Sequence, residues 1–166
     1  LMFFMGLRGS KGDKPTEQLI ICGPERGRRG AELKIMSTVE TKCPRHFTRN
    51  VTEKSSDSRG LATERMLLKD DDLSYALGKG GETRKKLSAA SGCVIQYVGY
   101  VVYIFGVREE RKRAKDYLDY LLQQRRGEVT VSDIKRRNDV QEVNIPKAAR
   151  PWVCGNRGSE LRRIEQ

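Results

Sequence analysis

Apolar residues keep a regular period only between about residues 63 and 126 of this chain. Met66-Leu67-Leu68 is a short apolar run suited to a strand. Asp70-Asp71-Asp72 then supplies an N-cap and negative charge for the first turn of a helix through Leu73 and Leu77. Gly78-Lys79-Gly80-Gly81 interrupts it, Glu82 to Ala90 resumes as helix, and Gly92 closes that helix as a C-cap. Cys93 to Val98 alternates as a strand does, with Cys93, Ile95 and Tyr97 on one face. Val98-Gly99 reads as a tight turn, and Tyr100 to Phe105 as the next strand, ended by Gly106, with Val102 and Ile104 on one face. Arg108 to Gln124 is an amphipathic helix: Ala114, Leu118 and Leu121 or Leu122 point inward, and Lys112, Lys115 and Asp119 outward. The order strand, helix, glycine loop, helix, strand, strand, helix predicts an α+β domain. Its natural packing is a three-stranded antiparallel sheet with three helices on one face.

The flanks lack this regularity. Residues 1–18 read as a flexible tail, Leu19 to Cys22 as a short apolar run, and Glu32 to Val39 as two helical turns. Residues 42–60 are polar and without period, and read as loop or disorder. Residues 1–62 are therefore expected to be a low-order basic region, residues 63–126 the folded domain and residues 127–142 a linker.

Charge changes the picture next. The 166 residues carry a net charge of +11 and a mean hydropathy of −0.66, so part of the chain is solvated and the partner is expected to be a polyanion. Four scattered cysteines and a lone His46 offer no clustered soft ligands, which argues against a metal site. Reduced thiols in a cytoplasmic or nuclear setting are the default reading. The opening Leu1 to Met5 is too short for a signal core or a membrane span, and a first residue other than Met reads as a fragment. With no Cys/His dyad, carboxylate pair or metal cluster, an enzyme is not expected, and no cofactor is implied.

The glycine loop carries the most specific chemistry. Two helices joined by Gly-x-x-Gly let the backbone come close to a sugar–phosphate chain, and the N–H groups opening the second helix can meet phosphate. Lys79 adds a cation at the tip. A Walker loop needs a different glycine-to-lysine spacing, and a dinucleotide fingerprint needs a preceding strand.

Gly78-Lys79-Gly80-Gly81-Glu82-Thr83 with Lys85, Lys86 and Leu87 closely resembles the signature of KH domains. Ser91-Gly92-Cys93-Val94-Ile95 and the Val-Val-Tyr-Ile-Phe-Gly run ending at Gly106 fit the type I arrangement of that family. The resemblance implies binding of single-stranded RNA, or of single-stranded DNA, through a loop that clamps about four nucleotides. It puts Ser74 and Leu77, Arg84 and Ser88, and Ile95 and Tyr97 in the groove beside Gly78, Lys79, Gly80 and Gly81. Leu77, Ile95 and Tyr97 fit a core role equally well. Arg84 stands where the family usually has an apolar residue, and Ser88 where some members use Arg, so no C-rich preference is expected. A protein–protein scaffold that has lost nucleic-acid binding is a different class of reading, and Lys79 in an intact loop argues against it.

Val143 to Pro146 reads as a strand, and Gly155-Asn156-Arg157-Gly158 follows at the offset that separates Lys69 from Gly78. Residues 143–166 therefore look like the first half of a second copy. Pro151 is expected to shorten its first helix, and Trp152 to stack on a base or, by preference, to be partly buried. A fainter echo at residues 19–43, in which Arg29-Gly30-Ala31-Glu32-Leu33 parallels Arg157-Gly158-Ser159-Glu160-Leu161, reads as a degenerate repeat or as a plain Arg/Gly-rich segment.

Overall fold

The computed structural model describes residues 2–7 and 16–164, in two units that divide after Val129. In chain order the first unit runs β1 (Met2–Leu7), β2 (Thr16–Ile21), α1 (Glu25–Lys42), β3 (Ala62–Leu67) and α2 (Asp70–Leu77). It continues through α3 (Glu82–Ser91), β4 (Val94–Val98), β5 (Val101–Gly106) and α4 (Arg108–Arg126). From β3 onward this is the β-α-α-β-β-α order that the hydrophobic pattern predicts.

β3, β5 and β4 form an antiparallel sheet in that spatial order, with Ala62 opposite Gly106 and Val98 opposite Val101. A two-residue turn, Gly99-Tyr100, joins β4 to β5, so Tyr100 lies in the turn and not in the strand expected there. Gly99 takes φ +54°, which a glycine adopts without steric cost. Strand alternation then divides the side chains between two faces. Ile95, Tyr97, Val102 and Ile104 pack with Leu68, Ala76, Leu87, Cys93, Ala114 and Leu118 under α2, α3 and α4.

The opposite face is not open. Val98, Val101 and Tyr103 are buried against Leu33 of α1, with Met36, Phe47, Val51 and Val94 packed around them. Full burial of Leu33 alone contributes roughly 1.5–3 kcal/mol. The expectation of three helices on one face holds for α2–α4, and a fourth helix covers the other.

The N-terminal region departs from the low-order reading. Residues 2–7 and 16–21 pair as an antiparallel ribbon where a tail is expected; residues 8–15 of that tail lie outside the described residues. Helix α1 spans 18 residues, well beyond the two turns at Glu32–Val39, and encloses Gly27 and Gly30. The Arg/Gly stretch is thus helical, and it forms no glycine loop. Residues 43–60 are irregular but tied down. Glu40 accepts from Arg45 N (2.7 Å), Phe47 N (2.8 Å) and Thr48 Oγ1 (2.5 Å), and the Tyr100 hydroxyl donates to Thr48 O at 2.9 Å. Lys54 and Arg65 exchange backbone bonds of 3.1 and 2.9 Å at the edge of β3. Such ties use carboxylates and carbonyls, which impose no hydrophobic period.

One side chain gathers these pieces. Arg111, fully buried on α4, donates Nε to Glu64 Oε1 at 2.8 Å. Its Nη1 reaches Gly60 O (3.0 Å) and Gly106 O (2.7 Å), and its Nη2 reaches Ser56 O (2.9 Å) and Ser58 O (2.7 Å). All five guanidinium donors are used. Lys115 Nζ sits 2.7 Å from the other Glu64 oxygen. At the start of α2 the N-cap position is Lys69, and Asp72, expected as part of the cap, accepts from Arg125 (2.9 Å) and Arg126 (2.7 Å) at the end of α4.

In the second unit residues 143–146 form no strand, contrary to expectation. A short turn at Lys147–Ala149 leads into α5 (Arg150–Cys154), then a turn at Asn156–Gly158 and α6 (Ser159–Ile164). Helix α5 has five residues against eight in α2, as Pro151 predicts. Trp152 is 83% exposed, which overturns its expected partial burial. No sheet exists among the described residues of this unit for it to cover.

Two outcomes follow from the Arg111 hub and the buried carboxylates. Arg111→Lys should cost roughly as much as Arg111→Met, about 3–5 kcal/mol in urea denaturation, because an ammonium lacks the fork that serves five acceptors. Burial alone would raise the Glu64 and Glu40 carboxyls, but the Lys115 and Arg111 partners of the first, and the Thr48 and backbone donors of the second, outweigh it and hold both below 4.5. A depressed carboxyl stabilises the fold above its unfolded value and loses that contribution as pH falls through the folded one. Stability should therefore decline as pH drops below about 4.5, and the Glu64→Gln, Glu40→Gln double variant should show a shallower acid limb from a lower plateau.

Candidate nucleic-acid interface

Helix α2 ends where Gly78 turns to φ 69°, ψ 171°, its N–H donating to Ser74 O at 3.2 Å. Gly80 (φ 62°, ψ 14°) and Gly81 (φ 78°, ψ 19°) follow in left-handed geometry, and Gly81 N–H returns to Gly78 O at 3.1 Å. The glycines are needed for different reasons. A Cβ on Gly78 would overlap Thr83 Oγ1 and lie 2.8 Å from Thr83 Cβ, whereas one on Gly80 would meet open space. Gly78 is fixed by close packing, Gly80 by torsion alone.

The loop presents Lys79 and Gly80 to solvent, while Gly81 is buried beneath them. No side chain caps the N-terminus of α3, and its first N–H, that of Glu82, donates to Lys79 O in the loop. The helix dipole adds partial positive charge there, and Arg84, Lys85 and Lys86 lie on the same first turns.

The other groove candidates separate into two layers. Ser74 and Leu77 on α2 are exposed, and Arg84 and Ser88 on α3 are half-buried. Arg84 Nη1 donates to Ile95 O at 3.0 Å, which pins the guanidinium between helix and strand, and the Ser88 hydroxyl donates to Cys93 O. Ile95 and Tyr97 are core residues, 2% and 5% exposed. The Tyr97 hydroxyl donates to Ala76 O at 3.2 Å, and burial pushes its phenol up to about 12. The side chains of Ile95 and Tyr97 therefore lie beneath α2 and α3 and do not line the surface. Two residues were not foreseen. Thr83 packs against Gly78, a contact with no signature beyond its spacing, and Tyr75 shows 38% of its surface on α2 beside Ser74.

The second loop repeats the first. Gly155 takes φ 67°, ψ 179°, Arg157 φ 51°, ψ 34°, and Gly158 φ 76°. Gly155 N–H donates to Pro151 O (2.9 Å), and Gly158 N–H to Gly155 O (3.4 Å), the pattern of Gly78 and Gly81. A Cβ on Gly155 would lie 2.6 Å from Ser159 Oγ and 2.8 Å from Glu160 Cγ, so the same close approach fixes this glycine. Asn156 occupies the Lys79 position and is exposed, as is Arg157. Of the basic linker run, Arg137 is paired with Asp139 at 2.6 Å.

Residues 63–119 match the family model described as KH domain. The match covers the sheet, both helices around the first loop and most of α4, and it supports nucleic-acid binding in general terms. Among solved structures, the chain is similar to the first KH type I domain of human vigilin at 14% identity and a TM-score of 0.37, covering 52% of this chain and 98% of that one. It is also similar to the eighth KH type I domain of human vigilin, at 16% identity and a TM-score of 0.36, covering 52% and 97%.

The two kinds of glycine requirement separate experimentally. Gly80→Ala should lose about 1–2 kcal/mol, the cost of a left-handed torsion for a residue bearing Cβ. Gly78→Ala should lose distinctly more, because Thr83 must also move, and the additional Thr83→Ala change should recover part of the difference. Urea midpoints of the three variants measure this.

Proposed function

We propose that the chain binds single-stranded RNA, with the loop Gly78–Gly81 clamping the backbone of about four nucleotides. The observation that carries this reading is the loop itself. Three positive-φ glycines, an exposed Lys79 and an uncapped helix start lie together within a segment matched by the KH domain model. Phosphate oxygens accept from the α3 N–H groups and pair with Lys79, while Arg84 and Lys85 add positive potential. Ser74 and Leu77 meet the sugar and base edges from α2, and Ser88 borders the groove from α3. Ile95 and Tyr97 act from beneath, by holding the two helices at fixed spacing. The partner is a nucleic acid bound without chemistry of its own.

The Gly155–Gly158 loop is a second clamp on this reading, supported by its matching torsions and by Arg157. Trp152, exposed three residues before it, offers a stacking face to a base. Two clamps on one chain raise affinity for a longer strand through effective concentration.

The test is a pair of charge reversals. Lys79→Asp with Gly80→Asp should leave the fold intact, because both positions are exposed, Gly80 borders open space and Asp tolerates the left-handed region. Fluorescence anisotropy with short RNA oligomers should show at least a roughly tenfold loss, equal to about 1.4 kcal/mol. Asn156→Asp with Arg157→Asp should weaken binding of longer oligomers only, and should flatten the salt dependence. Unchanged affinity in the folded first variant refutes the clamp, and equal affinity for the matching DNA oligomer refutes a preference for RNA.

A further inference from the structure

The N-terminal region follows the plan of the central domain's second half. There, the antiparallel pair β4–β5 ends on Gly106, and α4 begins after one intervening residue; upstream, the antiparallel pair β1–β2 ends at Ile21, Gly23 follows two positions on, and α1 begins after one intervening residue. Setting Gly23 against Gly106 aligns Arg28 with Arg111, Ala31 with Ala114, Ile35 with Leu118 and Val39 with Leu122. The correspondence extends to hydrogen bonds. Arg28 N donates to Pro24 O at 2.9 Å, as Arg111 N does to Val107 O at 2.9 Å. Arg28 Nη1 donates to the Gly23 carbonyl, as Arg111 Nη1 does to the Gly106 carbonyl. An arginine fork returning to the glycine five residues back is a specific joint between strand end and helix, and the chain makes it twice.

The two helices differ on one edge. Where α4 carries Asp116, Asp119 and Gln123, α1 carries Leu33, Met36 and Glu40. That spacing lies on one helix face. Leu33 is fully buried on the central sheet and Met36 packs beside it. Glu40 anchors the chain at Thr48, and a Cβ on Gly99 of the β4–β5 turn would lie 3.1 Å from Thr48 Cγ2 and 3.5 Å from Glu40 Cγ. So α1 has two working edges, one matching the core stripe of α4 and one that α4 lacks.

We propose that residues 2–42 are the closing half of another copy of the same fold, and that the Leu33–Met36–Glu40 edge of α1 mounts that copy on the sheet of the central domain. The partner that fits the other edge is a strand–helix–loop–helix segment bringing a carboxylate to Arg28, as β3 brings Glu64 to Arg111. The inference does not depend on what the loops bind.

Nitrogen-15 relaxation on the full chain tests the mount. In the wild type, α1 and the β3–α4 domain should share one rotational correlation time. Leu33→Asp writes into α1 the residue that α4 carries at the same register; it should free α1 and lower its amide protection at least tenfold while β4 and β5 stay protected. Independent tumbling in the wild type, or unfolding of the central sheet together with α1 in the variant, overturns the mount. A peptide of residues 59–92 tests the copy assignment. It should shift the Arg28 Nε–H, Ile35 and Val39 resonances, and its Glu64→Gln form should bind at least tenfold more weakly. No shift at Arg28, or equal binding by both peptides, overturns the assignment.

Discussion

The five hydrogen bonds of Arg111 are the constraint on which the domain rests. The ladder with β5 sets the register of β3, but it reaches neither the irregular segment before β3 nor the start of α4. The buried guanidinium joins carbonyls from residues 56, 58, 60 and 106 to the Glu64 carboxylate. A buried cation left unpaired would cost several kcal/mol, so the acceptors must all arrive together, and their arrival orders the irregular chain leading into β3. The same joint aligns α4 over the sheet, which sets where α3 packs and hence where the glycine loop stands.

Covering both faces of the sheet has a functional consequence. Val98, Val101 and Tyr103 are closed off by α1, and Ile95 and Tyr97 are closed off by α2–α4, so none of these five side chains is open to a base. On the proposed reading, recognition falls to the helix side of the loop, where Ser74, Leu77 and Lys79 are exposed and Arg84 is half-buried.

What was legible in the sequence follows a physical rule. The order from β3 to α4 and the inward residues Ala114 and Leu118 could be read because strand and helix periods are each imposed by a single buried face. The glycine loop could be read because positive φ and close approach admit little but glycine. Helix α1 could not be read at full length. Its apolar residues are divided between two edges, Leu33 and Met36 on one and Ala31, Ile35 and Val39 on the other, which erases the single stripe that marks an amphipathic helix. Residues 43–60 were illegible for another reason: their order comes from polar ties, to the nearby Glu40 and to Arg111 and Tyr100, which are distant in sequence. Trp152 failed because its burial would require a sheet, and the residues around it supply none.

The recurrence of the loop in a unit that has no sheet among its described residues shows what kind of structure it is. Around Gly78 the turn is fixed by Thr83, and around Gly155 by Ser159 and Glu160, so each is determined within six residues of its own glycine. Arg157 holds a left-handed torsion where the first loop has Gly80, at a cost of about 1–2 kcal/mol. The turn persists at that cost because short-range packing and the Gly158-to-Gly155 bond over-determine it. A motif fixed this locally can lose and regain supporting elements without losing its shape. The core decides where the loop is held, and the loop's own steric contacts decide its shape.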